Sequence, residues 1–153
     1  MKIMDILVRD AVILELESES KESLLAEMAR SLAKAVPALD ADSLYTVLVE
    51  REELQSTGIG EGVAIPHGKL PGLDRLVASF ARSPEGVEFE SIDGQPTYHF
   101  FLLVVPEHSS GLHLQALARI SRFFRDLEFR DKLMSSQDLD DVLRAIDEED
   151  AKF

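Results

Sequence analysis

No cysteine occurs among the 153 residues, which excludes disulfide bonds, thiolate metal sites and a cysteine nucleophile. No apolar run approaches the roughly 20 residues that a membrane-crossing helix needs. The opening residues, Met1-Lys2-Ile3-Met4-Asp5, lack the charged-then-apolar pattern and small-residue cleavage site of a secretory leader. A cytoplasmic protein without membrane insertion is therefore expected. Positive charge is scarce: 16 Lys and Arg stand against 29 Asp and Glu, a net charge of −13. Such a surface repels phosphate backbones and no basic patch compensates, so nucleic acid is not an expected partner. Internal repeats, low-complexity tracts and long linkers are missing too, so residues 1–153 are expected to form one domain.

What is present gathers in one stretch, Ser56-Thr57-Gly58-Ile59-Gly60-Glu61-Gly62-Val63-Ala64-Ile65-Pro66-His67-Gly68-Lys69. Glycines alternate, a short apolar strand follows, and a histidine then sits between proline and glycine. Proline fixes the backbone on one side of His67 and glycine leaves it open on the other. An imidazole, titrating near neutral pH, is suited to accepting and releasing a charged group.

Around this stretch the pattern alternates between periods. From Ser20, Leu24, Leu25, Met28, Ala29 and Leu32 recur at helical spacing until Pro37 ends the run. A second helix is expected to start near Asp40 to Asp42, with Leu44, Val47 and Leu48 on one face. Strands are expected over Ala11–Leu16, Val63–Ile65 and Leu76–Ala81, with a turn at Asp93-Gly94. The nearly continuous apolar run Tyr98–Val105 suits a central strand covered on both faces. Further helices are expected from about Ser110, near Phe129–Met134, and through Leu139, Val142, Leu143 and Ile146. Strands and helices interleave without strict alternation, which predicts an α/β (α+β) fold with a mixed sheet between helical layers. The acidic residues crowding Asp138–Asp150 read as a solvated helix face, with a docking surface for a basic protein as the alternative.

Two further side chains continue apolar stripes. Arg51 lies three residues after Leu48, four after Val47 and seven after Leu44, so it extends the buried face of the second helix. A guanidinium there either pairs with a nearby glutamate or reaches into the site formed by the following loop, where its fork of donors suits phosphate oxygens. His113 precedes Leu117 by four, Ile120 by seven and Phe124 by eleven, heading the stripe of its helix after the possible caps Ser109 and Ser110. It reads either as a satisfied core histidine or as an anion-facing group at a helix N-terminus. His99 alternates with Phe101, Leu103 and Val105 and fits core or edge packing, while His108 falls in a solvated loop.

Nucleotide and metal motifs are not met. Gly58, Gly60 and Gly62 form G-x-G-x-G, but Val63 occupies the last glycine position of a dinucleotide fingerprint. Gly68-Lys69 is like the end of a P-loop, yet Val63 stands at its first glycine and Leu70 replaces the magnesium-holding hydroxyl. No histidine pair has the i, i+4 spacing of a zinc protease, so neither metal nor cofactor is expected. The loop residues Ser56, Thr57, Gly58, Gly60, Gly62 and Gly68 offer backbone N–H groups for an anion-binding concavity, or else form a tight structural turn. An imidazole nucleophile with a second histidine, an arginine and such a loop suits phosphoryl transfer, which needs mainly positioning and charge stabilisation. His67 would attack as the neutral base, dominant above its unperturbed pKa of about 6.5.

The segment from Ser56-Thr57-Gly58-Ile59-Gly60 through Ala64-Ile65-Pro66-His67-Gly68 closely resembles the active-site signature of the fructose/mannitol-type enzyme IIA domains of the bacterial phosphotransferase system. The resemblance extends to Arg51-Glu52, to Phe89–Pro96 and to His113-Leu114-Gln115. It implies a three-layer sandwich, with His67 taking a phosphoryl group from a small histidine phosphocarrier protein. It further implies that Arg51 and His113 stabilise the phosphoryl group and orient the acceptor, and that the ring nitrogen remote from the backbone is used. Pro66-His67-Gly68-Lys69-Leu70 and Ile92-Asp93-Gly94-Gln95-Pro96 look more like the nitrogen-regulatory branch, which signals to target proteins through its phosphorylation state. The alternative is the sugar-transport branch, which passes phosphate to an enzyme IIB domain. A different class, a hydrolase using His67 and His113, predicts turnover without a protein donor.

Overall fold

The computed structural model describes residues 1–109 and 111–153. After a single helical turn α1 (Ile3–Ile6), helices α2 (Lys21–Ala35) and α3 (Ala41–Leu54) precede five strands. These are β1 (Gly58–Gly60), β2 (Val63–Ala64), β3 (His67–Leu70), β4 (Val77–Val87) and β5 (Thr97–Pro106). Helices α4 (Leu112–Phe123), α5 (Leu127–Ser135) and α6 (Leu139–Asp150) close the chain.

The helix boundaries follow from capping chemistry. Ser20 accepts the Ser23 N–H at 3.2 Å to open α2, and α2 stops at Ala35 because Pro37 disfavours helical geometry before it. Asp40 opens α3 by accepting the Ser43 N–H at 2.9 Å. Neither helix could hold together by propensity alone; each buries its apolar stripe on the sheet.

β5 is the axis of that sheet. One edge pairs antiparallel with β4, with Phe80 opposite Phe101. The other edge pairs parallel with β2 and then β3, placing Val63 opposite His99 and His67 opposite Leu103. The offset is the same in both, so β2 and β3 are one edge in unbroken register, interrupted at Ile65-Pro66. Pro66 has no N–H to give a ladder, though its carbonyl accepts the Leu103 N–H at 2.9 Å. Along β5, Phe100, Leu102 and Val104 face a core built with α2 and α3. Phe101, Leu103 and Val105 face a second core built with α4, α5, α6 and Ile3. The result is the expected mixed sheet between two helical layers.

Three local expectations needed correction. Ala11–Leu16 is not a strand: Arg9–Ala11 is a 3-10 turn, and only Ile13 bridges to Ala81. The turn tucks Ala11 into the core and leaves single bonds to the β4 edge, such as Ile13 N–H to the Phe80 carbonyl at 2.9 Å. β1 and β3 are strands that the glycine-rich composition concealed. The acidic end of α6 is not wholly solvated, because Glu149 and Asp150 are buried. Asp150 accepts the N–H groups of Ile3 and Met4, each at 2.9 Å, and pairs with Arg119 at 3.0 Å. Buried Arg82 does the converse at the end of α5, donating to the carbonyls of Leu133, Met134 and Ser136. No helix among the described residues is long and apolar enough to cross a membrane.

At Gly68 the sheet and α3 approach closely. A Cβ there would lie 2.3 Å from Val47 Cγ1 of α3, so α3 can press on β3 only because the side chain is missing. Gly68→Ala is expected to destabilise the fold by about 1–3 kcal/mol. Val47→Ala in the same chain should restore part of the loss, read by urea denaturation of the single and double variants.

Candidate active site

β3 ends the sheet on one side, and there the two helical layers meet. A cleft of about 640 Å³ opens at this edge, lined by Val47, Glu50, Arg51, Leu54, His67, Gly68, Lys69, Val105 and His113. Arg51 arrives from the last turn of α3 and His113 from the first turn of α4. The absent side chain of Gly68 lets α3 close far enough to carry Arg51 round the edge. The three residues singled out from stripe and motif therefore share one cavity.

His67 is half-buried at the start of β3. Its Nδ1 lies 2.8 Å from the Ile65 carbonyl oxygen. A carbonyl can only accept, so Nδ1 carries the hydrogen, and in the neutral ring Nε2 holds a bare lone pair. The break in the ladder at Ile65-Pro66 makes this possible. Burial lowers the His67 pKa below its ordinary 6.5, and the positive charges of Arg51 and His113 push the same way. The hydrogen bond that Nδ1 donates to the Ile65 carbonyl and the charge of Glu52 oppose them. The neutral, nucleophilic form is thus favoured at pH 7.

The surroundings are positive where the whole chain is negative. Arg51 donates to the Gln55 carbonyl at 2.8 Å, which anchors one arm of the guanidinium and leaves the rest of the fork to a ligand. Lys69 shares the His67 face of β3, two residues along. Gly111, at φ 74, precedes α4, and no side chain caps that helix among the described residues. The expected cap Ser109 instead gives its carbonyl to the Gly111 N–H at 2.9 Å; Ser110 lies outside the described residues. His113 Nδ1 is buried without a hydrogen-bond partner among the described residues. An arginine fork, a helix N-terminus and the bare Nε2 of His67 together suit a transferable anion.

The rest of the glycine stretch lies elsewhere. Ser56, Thr57, Gly58, Gly60 and Gly62 are not on the cleft wall. They build a β1–β2 hairpin in which three donors are engaged within the fold: Thr57 N–H goes to Glu52, Gly58 N–H to Ser56 Oγ, and Glu61 N–H to Asp93. Gly60 at φ 93 and Gly62 at φ 81 are required by its turn. Of the expected anion-holding loop, Gly68 alone borders the cavity, and the others act as a scaffold. His99 is 3% exposed against Phe80 and Phe124, a core histidine as its alternation suggested. Among the described residues no three His, Asp or Glu side chains gather where a metal ion could bind. Lys69 and Glu52 were passed over in the sequence. Period-two spacing from His67 could have marked Lys69, whereas nothing local marks Glu52 as buried.

Residues 5–149 match the family described as phosphoenolpyruvate-dependent sugar phosphotransferase system, EIIA 2. The chain is 42% identical over 138 residues to a nitrogen regulatory protein of Bradyrhizobium diazoefficiens, covering 90% of each. It is 36% identical over 150 residues to the fructose-specific EIIABC component of Bacillus subtilis, covering 98% of this chain and 24% of that protein. Its fold is similar to the crystal structure of nitrogen regulatory protein IIA-Ntr from Neisseria meningitidis. There the TM-score is 0.86 at 34% identity, over 94% of this chain and 98% of that one.

The two buried histidines should separate in an NMR pH titration. His67 is expected to titrate below 6.5. His99, held to about 4 by burial and by Arg130 and Arg82, should stay neutral much further into acid. An unfolded chain protonates His99 near 6.5 while the folded one does not, so stability should fall as pH drops from about 6.5 to 4. The loss from this group is roughly 3 kcal/mol at most, and His99→Phe should flatten that limb of the denaturation profile.

Proposed function

The chain belongs to the EIIA 2 family of the phosphoenolpyruvate-dependent sugar phosphotransferase system, and on that premise we propose that it is a cytoplasmic phosphohistidine carrier with His67 as acceptor. The observation that carries the reading is the Nδ1 hydrogen bond to the Ile65 carbonyl, which leaves Nε2 bare in the cleft beside Arg51 and His113. The donor is a histidine phosphocarrier protein. The Nε2 lone pair attacks phosphorus, the P–N bond to the donor ring breaks, and its electron pair returns to that ring. Nδ1 keeps its proton throughout. The phosphorylated ring is then formally cationic, hence a good leaving group, and the phosphoryl group remains ready for onward transfer.

Arg51 takes two roles in this scheme, anchored at Gln55 and paired with the phosphoryl oxygens. His113 and the start of α4 stabilise the same charge from the other side. The higher identity to a nitrogen regulatory protein favours a regulatory role, in which contacts with target proteins depend on the charge at His67. Similarity to a fructose-specific component supports the second reading, transfer to an enzyme IIB domain.

Incubation with phosphoenolpyruvate, enzyme I and the phosphocarrier should give an acid-labile, base-stable label that His67→Ala abolishes. Arg51→Ala and His113→Ala are each expected to slow labelling by about a hundredfold while the proteins stay folded. Labelling of His67→Ala at the normal rate would refute the assignment.

A further inference from the structure

Glu52 is a charged residue buried outside the cleft, an arrangement that is costly unless its bonds are well used. Its side chain is 4% exposed and pairs with Lys21 Nζ at 2.7 Å. Its oxygens accept the Thr57 N–H at 2.8 and 3.1 Å and also the Thr57 hydroxyl. The Thr57 carbonyl accepts the Ile65 N–H at 3.0 Å. The Ile65 carbonyl in turn accepts the His67 Nδ1–H at 2.8 Å. Three links thus join a buried carboxylate to the ring that carries the chemistry.

We propose that Glu52 is a positioning residue: by holding Thr57 it fixes the Ile65 carbonyl, which selects the His67 tautomer and aims Nε2 into the cleft. The inference rests on the reading of His67 as acceptor. The coupling is mechanical, because the N–H and carbonyl of Thr57 belong to different peptide groups, as do those of Ile65. Both act on segments that lie between regular elements. Ile65 and Pro66 lie between β2 and β3, and Gln55–Thr57 lies between α3 and β1. The consecutive residues Arg51 and Glu52 grip that second segment at two points, Gln55 and Thr57. Arg51 is thereby held at the height of the cleft while Glu52 holds the hairpin beneath it. The carboxylate also opposes, as the smallest contribution, the downward effect of burial, Arg51 and His113 on the His67 pKa.

The test is the tautomer of His67, read from nitrogen shifts of 15N-histidine-labelled, unphosphorylated protein, together with the rate of phosphoryl acceptance. Wild type should show the Nδ1–H form. Glu52→Gln should populate the Nε2–H form and slow acceptance at least about tenfold, since small misplacements are expensive for positioned groups. Leu48→Ala, which weakens the same helix from its core face, should leave the tautomer ratio unchanged. A wild-type ratio in folded Glu52→Gln, or an equal shift in Leu48→Ala, would overturn the proposal. Should Glu52→Gln not fold, Thr57→Val is expected to shift the ratio in the same direction, and no shift would overturn it. The tautomer is read without any donor protein. A wild type that keeps the Nδ1–H form yet takes no phosphoryl group would therefore fail the functional reading, not this one.

Discussion

Hydrogen-bond pairing along β5 is the constraint from which the site follows. The strand is buried on both faces, so its alternation assigns each neighbouring residue to one helical layer or the other. On its parallel edge a single register runs from Val63 to Leu70, and this register decides which way His67 faces. A slip of one residue would turn His67 toward the α2–α3 layer and Gly68 toward the α4–α6 layer. The interruption at Ile65-Pro66 costs ladder bonds but frees one carbonyl, and that carbonyl orients the imidazole. Regular pairing sets the position of the histidine, and a local break in it sets the tautomer.

Charge is arranged with the same economy. In a chain of net charge −13, the cleft collects Arg51, Lys69 and the start of a helix around a ring that burial keeps neutral. A neutral nucleophile does not repel an incoming phosphoryl group, and fixed positive groups favour the charge once it has arrived. Two buried carboxylates, Glu52 and Asp150, serve elsewhere, each with several donors. Glu52 holds the hairpin and Asp150 ties the first turn to α4 and α6. Their satisfied bonds are what make such burial tolerable.

Much of this was legible before any coordinates. Apolar periodicity located α2, α3, α4, α6 and the central strand, because those elements owe their stability to the stripes they bury. Arg51 and His113 were conspicuous as polar residues on such stripes, and the cleft explains why they stand there. The short strands β1 and β3 were not legible: glycine has low strand preference, and pairing overrides it, with β2 for β1 and, for β3, with β5 some 36 residues away. The glycine loop was read as a possible anion cradle, but its donors turn inward to Glu52, Ser56 and Asp93. Sequence shows that N–H groups are available, whereas only tertiary structure shows which acceptors reach them. Burial of Asp150 escaped for the same reason, since its partners come from distant segments.

The proposed function depends on Nε2 of His67 being the atom that bonds to phosphorus. The most direct measurement is the phosphorus–nitrogen coupling in the phosphorylated, 15N-histidine-labelled protein. Attachment at Nε2 of His67, with Nδ1 still protonated, is the predicted result. Attachment at Nδ1, or on a residue other than His67, would contradict it.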